Sequence, residues 1–376
     1  MENLEQIKKN MEQRERLFSE FACKSSFAIR LNEESSDIRG SFQRDVDKII
    51  HTLSYTRYAD KTQVYSDIRN DNTSTRMTHV QFVSRASRTI ARALNLNEDL
   101  CEAISLGHDI GHVPYGHDGE RILSKICMER MGMPFAHNIQ SVRTFLEIEK
   151  KGKGLNLTLQ VLDGIMCHNG EMLEKEYYPQ PKNYLEFKKE YEECLRDNEK
   201  IKSIRPMTLE GCIVRISDII GYIGKDIDDA IRLNMLSKDD IPENIKEVLG
   251  ENNDQIMNSI ILDIINESYN KPYIKMSNRV SKAVTDLKDF NYKNIYYKAS
   301  TKEFLEECEK KFYFLFDTYL NALNKKDTNN DIYQIFLEGM SDKYIQNNSN
   351  ERKVIDFIAG MTDNYFESQY EKYSND

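Results

Sequence analysis

The chain has 376 residues, 39% hydrophobic and 30% charged, with a mean hydropathy of −0.65, which describes a charged globule holding enough apolar material for a core rather than a disordered chain. No apolar run reaches the length of a membrane span and the first residues lack a signal-peptide core, so a cytoplasmic protein with no membrane partner is expected. A net charge of −10 argues against polyanion binding over the whole surface, and seven cysteines without a CxxC pair argue against a disulfide framework or a zinc–thiolate site.

In chain order, Leu4, Ile7, Met11 and Leu17 recur at near-helical intervals and predict an amphipathic helix, either packed on the body or another subunit or simply solvated. Phe42, Val46, Ile49 and Ile50 mark one face of a second helix. Arg57, Lys61 and Gln63 follow, and are either pocket-lining groups or ordinary helix-surface polar residues. The polar run Asp71–Thr75 is placed to cap a helix from Arg76 to about Leu94, with Val83, Ala86, Ile90 and Leu94 inward. Arg76 and His79 are three residues apart there and share one side.

A short helix begins near Asn97 and delivers His108 and Asp109 at its last turn, just before the breakers Gly111 and Pro114, where both side chains can converge on one ion. His117 and Glu120, again three apart, open a helix running from Asp118 to about Met131. Two more helices carry Ile139 to Ile148 and Val161 to Met166, the second with Thr158 as a plausible N-cap and with its end at His168–Gly170. Residues 171–205 crowd Glu, Lys and Tyr around two prolines and read as a charged insertion, with an oligomer contact as its expected use.

Ile213, Ile216, Ile220, Ile223, Ile227 and Ile231 then form an unbroken stripe that predicts one continuous core helix, and Asp218, Tyr222 and Asp226 stand opposite it, four residues apart each time. The rest, Ser237 to Asp376, is helical in pattern, without an internal repeat or any long strand alternation.

Six of the seven histidines, His79, His108, His112, His117, His137 and His168, fall in one region interleaved with carboxylates. Neutral imidazoles beside hard carboxylates are the usual ligands of borderline divalent ions, which outweighs the alternative of six unrelated buried histidines. For His112 and His168 taken singly, a fold-supporting hydrogen bond is an equally good reading.

The string HDIGHVPYGHDGE, from His108 to Glu120, resembles the signature of the HD-domain phosphohydrolases and, at its full length, that of the deoxyguanosine triphosphate triphosphohydrolase (dGTPase) family. Lys61-Thr62-Gln63-Val64, Phe135 to Asn138, Leu155 to Thr158, Leu287 to Phe290 with Ile295-Tyr296-Tyr297, and Val354 to Asp363 resemble that family too, so the likeness covers nearly the whole chain. It implies an all-α fold, with an HD-domain helical core over about 40–235 and additional peripheral and C-terminal helices over about 237–376, all in one unit.

The resemblance also implies His79, His108, Asp109 and Asp218 as ligands of one divalent ion (Mn, Mg, Co, Fe or Zn), and leaves room for a second ion arriving with the nucleotide phosphates. The reaction it implies is hydrolysis of a deoxynucleoside triphosphate, dGTP foremost, to deoxynucleoside and inorganic triphosphate. His117, oriented by Glu120, is then the first candidate acid or base and His137 the second; His112 donates to a phosphate oxygen, Arg76 lies on the base or phosphates, Tyr222 presses on C2′ and Asp226 binds the 3′-hydroxyl. Relatives of this kind form homo-oligomers, tetramers or hexamers, and a regulatory nucleotide or single-stranded DNA is the further partner to consider. Two rivals stand beside this reading: another HD phosphohydrolase acting on a signalling or oligonucleotide phosphoester, which has no need of the Tyr222–Asp226 pair, and a non-catalytic nucleotide sensor, which has no need of His117 with Glu120.

Overall fold

The computed structural model describes residues 3–35, 37–64, 74–169 and 173–375, and it is 69% helical with 2% strand, which makes the fold all-α. The amphipathic N-terminal segment forms α1 (Leu4–Arg14), with Ile7 40% exposed and Leu17, just beyond it, 79% exposed, so little of its apolar side is covered by this chain. In α2 (Ser41–Ile50), Phe42 and Ile49 are buried as their spacing predicts, whereas Ile50 turns outward and buried Asp45 takes an inward position. Asp45 is tolerated there because Arg30 and the Thr158 hydroxyl both donate to its carboxylate.

The central helix α3 (Arg76–Ala93) buries Val80, Val83, Ile90 and Ala91. Of the run expected to cap it, Asp71–Thr73 lies outside the described residues, and Thr75 occupies the N-cap position without a side-chain bond to the helix. Asn97 does cap α4 (Glu98–Gly107), accepting from the N–H groups of Asp99 and Leu100. There follow α5 (Gly116–Met131), α6 (His137–Arg143), which runs into a wider π-helical turn over Thr144–Ile148, and α7 (Leu159–Met166). Thr158 stands at the N-cap of α7 but makes no capping bond, because its hydroxyl is spent on Asp45. Gly170, where that segment was expected to end, lies outside the described residues.

The isoleucine stripe builds α8 (Leu209–Ile223), opened by the Thr208 hydroxyl, and α9 (Lys225–Arg232). One continuous helix was the expectation; the chain is interrupted at Gly224, which keeps a right-handed helical backbone, so α9 carries on close to the same direction with Asp226 in its first turn. Ile213, Ile216, Ile220, Ile223 and Ile227 are all at most 2% exposed. Burial of each such side chain is worth roughly 1.5–3 kcal/mol, so this stripe is a main source of the cohesion around α8.

Residues 173–205 are more than a charged insertion. Phe187, Tyr191, Cys194 and Ile201 are buried in the main core, Lys182 is held by Asp163 and Glu190, and Glu176–Tyr177 (β1) pairs antiparallel with Ile274–Lys275 (β2). The charge pattern hid this because only one side of the helix Tyr184–Cys194 is apolar.

Further on, α10 (Asn278–Asn291) ends in a π-helical turn over Tyr292–Tyr296, and α11 (Lys302–Lys325), α12 (Asn350–Ala359) and α13 (Asp363–Ser374) enclose a second apolar cluster. Phe312, Phe316, Val354, Ile355 and Phe366 pack there against Leu123 and Ile126 of α5. No helix among the described residues is long and apolar enough to cross a membrane.

Candidate metal centre and active site

Two helices bring the first ligands together by close approach. At Gly221 of α8 an added Cβ would sit 2.7 Å from Val83 Cγ2 and 3.4 Å from the His79 ring, so the missing side chain is what lets α8 lie against α3. As a result His79 Nε2 reaches Asp218 Oδ1 at 3.0 Å. His108 caps α4, and its Nδ1 lies 2.7 Å from the Ser105 carbonyl, which can only accept; Nδ1 therefore carries the proton and Nε2 turns its lone pair inward. That Nε2 is buried without a hydrogen-bond partner, 3.4 Å from Asp109 Oδ1 and 3.5 Å from Asp218 Oδ1.

His79, His108 and Asp109 offer ligand atoms within 4.8 Å of one another. Two imidazoles and two carboxylates converging in a buried space, with His108 Nε2 unpartnered among the described residues and aimed into it, fit a divalent ion with mixed N/O preference. Burial alone would depress His108, but the Asp109 and Asp218 carboxylates outweigh it and raise its pKa to about 9. Against the same burial penalty, His108, His112 and Arg76 hold the Asp109 carboxyl well below the usual carboxylate range. The two carboxylates thus draw positive charge into this space, supplied by a second proton on His108 or by a bound cation in its place.

Arg76 is almost wholly buried, and its Nη1 donates to Asp109 Oδ2 at 2.5 Å. Its Nε and Nη2 have no hydrogen-bond partner among the described residues. Those donors stand beside Gly116, where an added Cβ would lie 3.1 Å from Nη2. His112 approaches Asp109 Oδ1 through Nε2 at 3.3 Å, leaves Nδ1 unpartnered, and is kept neutral chiefly by burial.

The structure brings His117, Glu120 and His137 together as well, but shares the carboxylate unequally. His117 Nδ1 is 3.4 Å from Glu120 Oε2, whereas Glu120 receives the His137 backbone N–H at 2.7 Å and faces His137 Nδ1 at 3.0 Å with both oxygens. Glu120 therefore fixes His137 more tightly than His117, whose side chain is 59% exposed.

On the other flank, the Tyr222 ring lies 6.5 Å from that of His79. Asp226 is buried one turn further on, and burial pushes its carboxyl up to about 7 even though Tyr296 donates to its Oδ2 at 2.7 Å. Tyr296 was picked out only within the family-like string Ile295-Tyr296-Tyr297, without a role, and the π-helical turn after α10 is what places it there. Lys61 was expected either to line the pocket or to be a helix-surface charge, and it is neither a surface group nor part of the histidine cluster. It is buried, and its ammonium donates to the carbonyls of His112 and Ala359, so it braces the turn after Asp109 rather than lining the histidine cluster. Gln63 lies by Gly116, with its side-chain oxygen buried and unpartnered. Arg57 instead borders a cavity of about 330 Å³ on the far side of the Ile110–Gly111 turn, lined also by Lys61, Gln140, Asp356 and Tyr365 and by none of the histidines.

Comparison with known proteins agrees with this geometry. The HD domain family matches residues 76–222, which contain the whole histidine cluster together with Asp218 and Tyr222, and the phosphohydrolase-associated domain matches residues 274–372. The fold and cluster are thus those of an HD-domain phosphohydrolase. Deoxyguanosinetriphosphate triphosphohydrolase-like proteins are similar over nearly the full length: that of Caldanaerobacter subterraneus subsp. tengcongensis is 36% identical over 95% of this chain and 92% of its own. That of Desulfatibacillum aliphaticivorans is 35% identical over 97% of both chains, and that of Clostridium perfringens 34% identical over 99% and 96%. The chain belongs to the family of deoxyguanosinetriphosphate triphosphohydrolase-like proteins.

Proposed function

We propose that the protein hydrolyses deoxynucleoside triphosphates at the α-phosphorus, dGTP foremost, releasing deoxynucleoside and inorganic triphosphate, with a divalent ion held by His79, His108, Asp109 and Asp218. The observation that supports the reading is that Tyr222, its ring 6.5 Å from that of His79, and buried Asp226 one turn on lie beside the histidine–carboxylate cluster. When bound, the ion supplies Lewis acidity and an activated water at a neutral pH. The reading takes Mn, Co, Fe, Zn or Mg as that ion, the mixed donors favouring the first four.

The chain's own groups do the rest. Arg76 turns its unpartnered Nε and Nη2 toward the phosphates while Nη1 stays on Asp109. His112 donates to a phosphate oxygen through Nδ1–H, in the tautomer whose Nε2 gives up its contact with Asp109 Oδ1. His117, exposed and steadied by Glu120, delivers a proton to the departing 5′-oxygen, so that water adds to phosphorus as the P–O5′ bond breaks. Tyr222 closes against C2′, and Asp226, held by Tyr296, takes the 3′-hydroxyl. The protein acts in the cytoplasm as one catalytic unit and as a homo-oligomer, the exposed apolar residues around α1 being available to a neighbouring copy.

The test is to strip the protein of metal, add each dNTP and GTP with Mn, Mg, Co or Zn, and separate the products. Deoxynucleoside plus triphosphate, abolished by His108→Ala and by Asp218→Ala, is the expected result. Diphosphate as product, or no turnover even with mixed dNTPs, overturns the reading.

A further inference from the structure

The cavity behind the Ile110–Gly111 turn lies outside the histidine cluster, and the proposed reaction makes no use of it. Its volume of about 330 Å³ is that of a small-molecule site. Ile110, Ile148, Phe336, Phe357 and Met361 give it apolar walls. Most of its polar groups are already engaged. The Asp356 carboxylate accepts from Arg143, Arg352, Gln140 and Tyr344, the Thr144 hydroxyl donates to the Gln140 carbonyl, and the Lys61 ammonium donates to the carbonyls of His112 and Ala359.

Two groups on its lining are left over. The Tyr365 hydroxyl oxygen is buried without a hydrogen-bond partner among the described residues, a cost that a ligand oxygen would remove. The Arg57 guanidinium has no hydrogen bond or ion pair among the described residues either. Glu149 lies near it but is bonded by the Ser54 hydroxyl and stands beyond ion-pair distance. Gly360 makes room for Arg57: a Cβ there would lie 3.1 Å from Nη1. The guanidinium thus rests against the C-terminal end of α12, where the carbonyl dipoles favour a positive charge.

An open guanidinium, a free hydroxyl and apolar walls suit a ligand with one carboxylate on a small apolar body. Arginine forks onto a carboxylate with two parallel N–H bonds, the tyrosine donates another, and the body takes the apolar walls out of water. A triphosphate brings more negative charge than one open guanidinium can match. We propose that this cavity binds a small amphipathic monocarboxylate through Arg57 and Tyr365, and that its occupant steadies the turn presenting Asp109 and His112. The connection is short. Ile110 and Gly111 form part of the cavity wall, and Lys61 ties the His112 carbonyl to that of Ala359. Filling the cavity removes the room into which that turn can relax, so the carboxylate and a metal ion at the cluster each tighten the other by the same factor.

The experiment is titration calorimetry of the metal-stripped full chain with octanoate and with 3-phenylpropionate, octan-1-ol and inorganic phosphate serving as controls. Both carboxylates should bind at one site per chain with Kd on the order of 0.1–1 mM, and both controls about tenfold more weakly or worse. Arg57 reaches the surface, so its replacement should leave the core intact, which far-UV circular dichroism checks. Arg57→Gln should lose about tenfold in carboxylate affinity while octan-1-ol is unaffected, Arg57→Lys should recover part of the loss, and Tyr365→Phe should weaken both carboxylates. In equilibrium dialysis, saturating octanoate should tighten manganese(II) binding in the wild type and not in Arg57→Gln. The site is overturned by the absence of saturable carboxylate binding below about 10 mM, by octan-1-ol binding as tightly as octanoate, or by full affinity in Arg57→Gln. Competitive displacement by dGTP overturns it too, since the carboxylate would then sit in the histidine cluster. Manganese binding indifferent to octanoate overturns the coupling. None of these readings depends on turnover, so the proposed reaction can fail while the cavity site stands, and the reverse.

Discussion

At the scale of single residues, the pair Asp226–Tyr296 makes the sharpest statement. Burial raises the Asp226 carboxyl from the ordinary range to about 7, so the folded state holds a proton that the unfolded chain releases near pH 4. The sign follows: between about pH 4 and 7 the folded state binds more protons, its advantage is full below the unfolded pKa, and that advantage is lost as pH rises through 7. Denaturation midpoints of the wild type and Asp226→Asn from pH 4 to 8 should therefore diverge, with the wild type losing a few kcal/mol at most relative to the variant. Parallel curves would show that the carboxyl is not perturbed. Tyr296→Phe removes the 2.7 Å hydrogen bond without removing the ring, and is expected to raise KM for dNTPs about tenfold while sparing metal uptake, as steady-state kinetics and metal analysis would report. Tyr222→Ala should collapse the preference for deoxy- over ribonucleotides, measured as a ratio of kcat/KM values; full retention of that preference would remove Tyr222 from sugar selection.

At the scale of elements, the cluster depends on how tightly the turn after Asp109 seats against α6. A Cβ on Gly111 would lie 2.2 Å from the His137 carbonyl oxygen and 2.4 Å from the Ser141 nitrogen. Both are backbone atoms, which cannot swing aside, and the Ser141 hydroxyl accepts the Gly111 N–H in the native turn. Gly111→Ala should thus push α6 away, destabilise the fold by about 1–3 kcal/mol or more, and misplace His137, read as a lowered Tm together with weaker metal binding. Much of this level was legible in the sequence: helical periodicity placed α3 and α4 and the start of α8 to within a residue or two, because their apolar stripes face one core. What escaped has a physical reason in each case. The interruption at Gly224 leaves the stripe's period intact, Thr158 lost its capping role to a distant buried carboxylate, and the apolar side of residues 184–201 was masked by the charges on its outer side.

At the scale of the molecule, the C-terminal helices are part of the site's frame. Asp356 of α12 is 2% exposed and receives Arg143 of α6 at 2.7 Å, Arg352 at 2.9 Å, Gln140 at 3.0 Å and the Tyr344 hydroxyl at 2.7 Å. Burial would raise its carboxyl, but the two guanidinium groups outweigh that and hold it well below the usual range. Its contribution is present above about pH 4 and lost as pH falls further. Asp356→Ala takes from buried Arg143 its buried carboxylate, leaving it Glu147 and Asn348, and is expected to cost about 3 kcal/mol, seen in urea midpoints. Such long-range joins were not legible in the chain, where Asp356 and Arg143 are two charges among many.

Asp363 makes a second join. Its Oδ2 accepts the Thr62 N–H at 3.0 Å and the Thr62 hydroxyl, and its Oδ1 accepts the N–H of Tyr115 at 3.0 Å, steadying a tyrosine whose φ of 61° is costly for a bulky residue. One carboxylate thus pins the segment before Gln63 and the segment before His117. In the order of synthesis, every histidine of the cluster leaves the ribosome long before Asp363 does. A nascent chain can gather the histidines, but the two segments flanking them stay untied until residue 363 has been added, which withholds the finished site from a partly made protein.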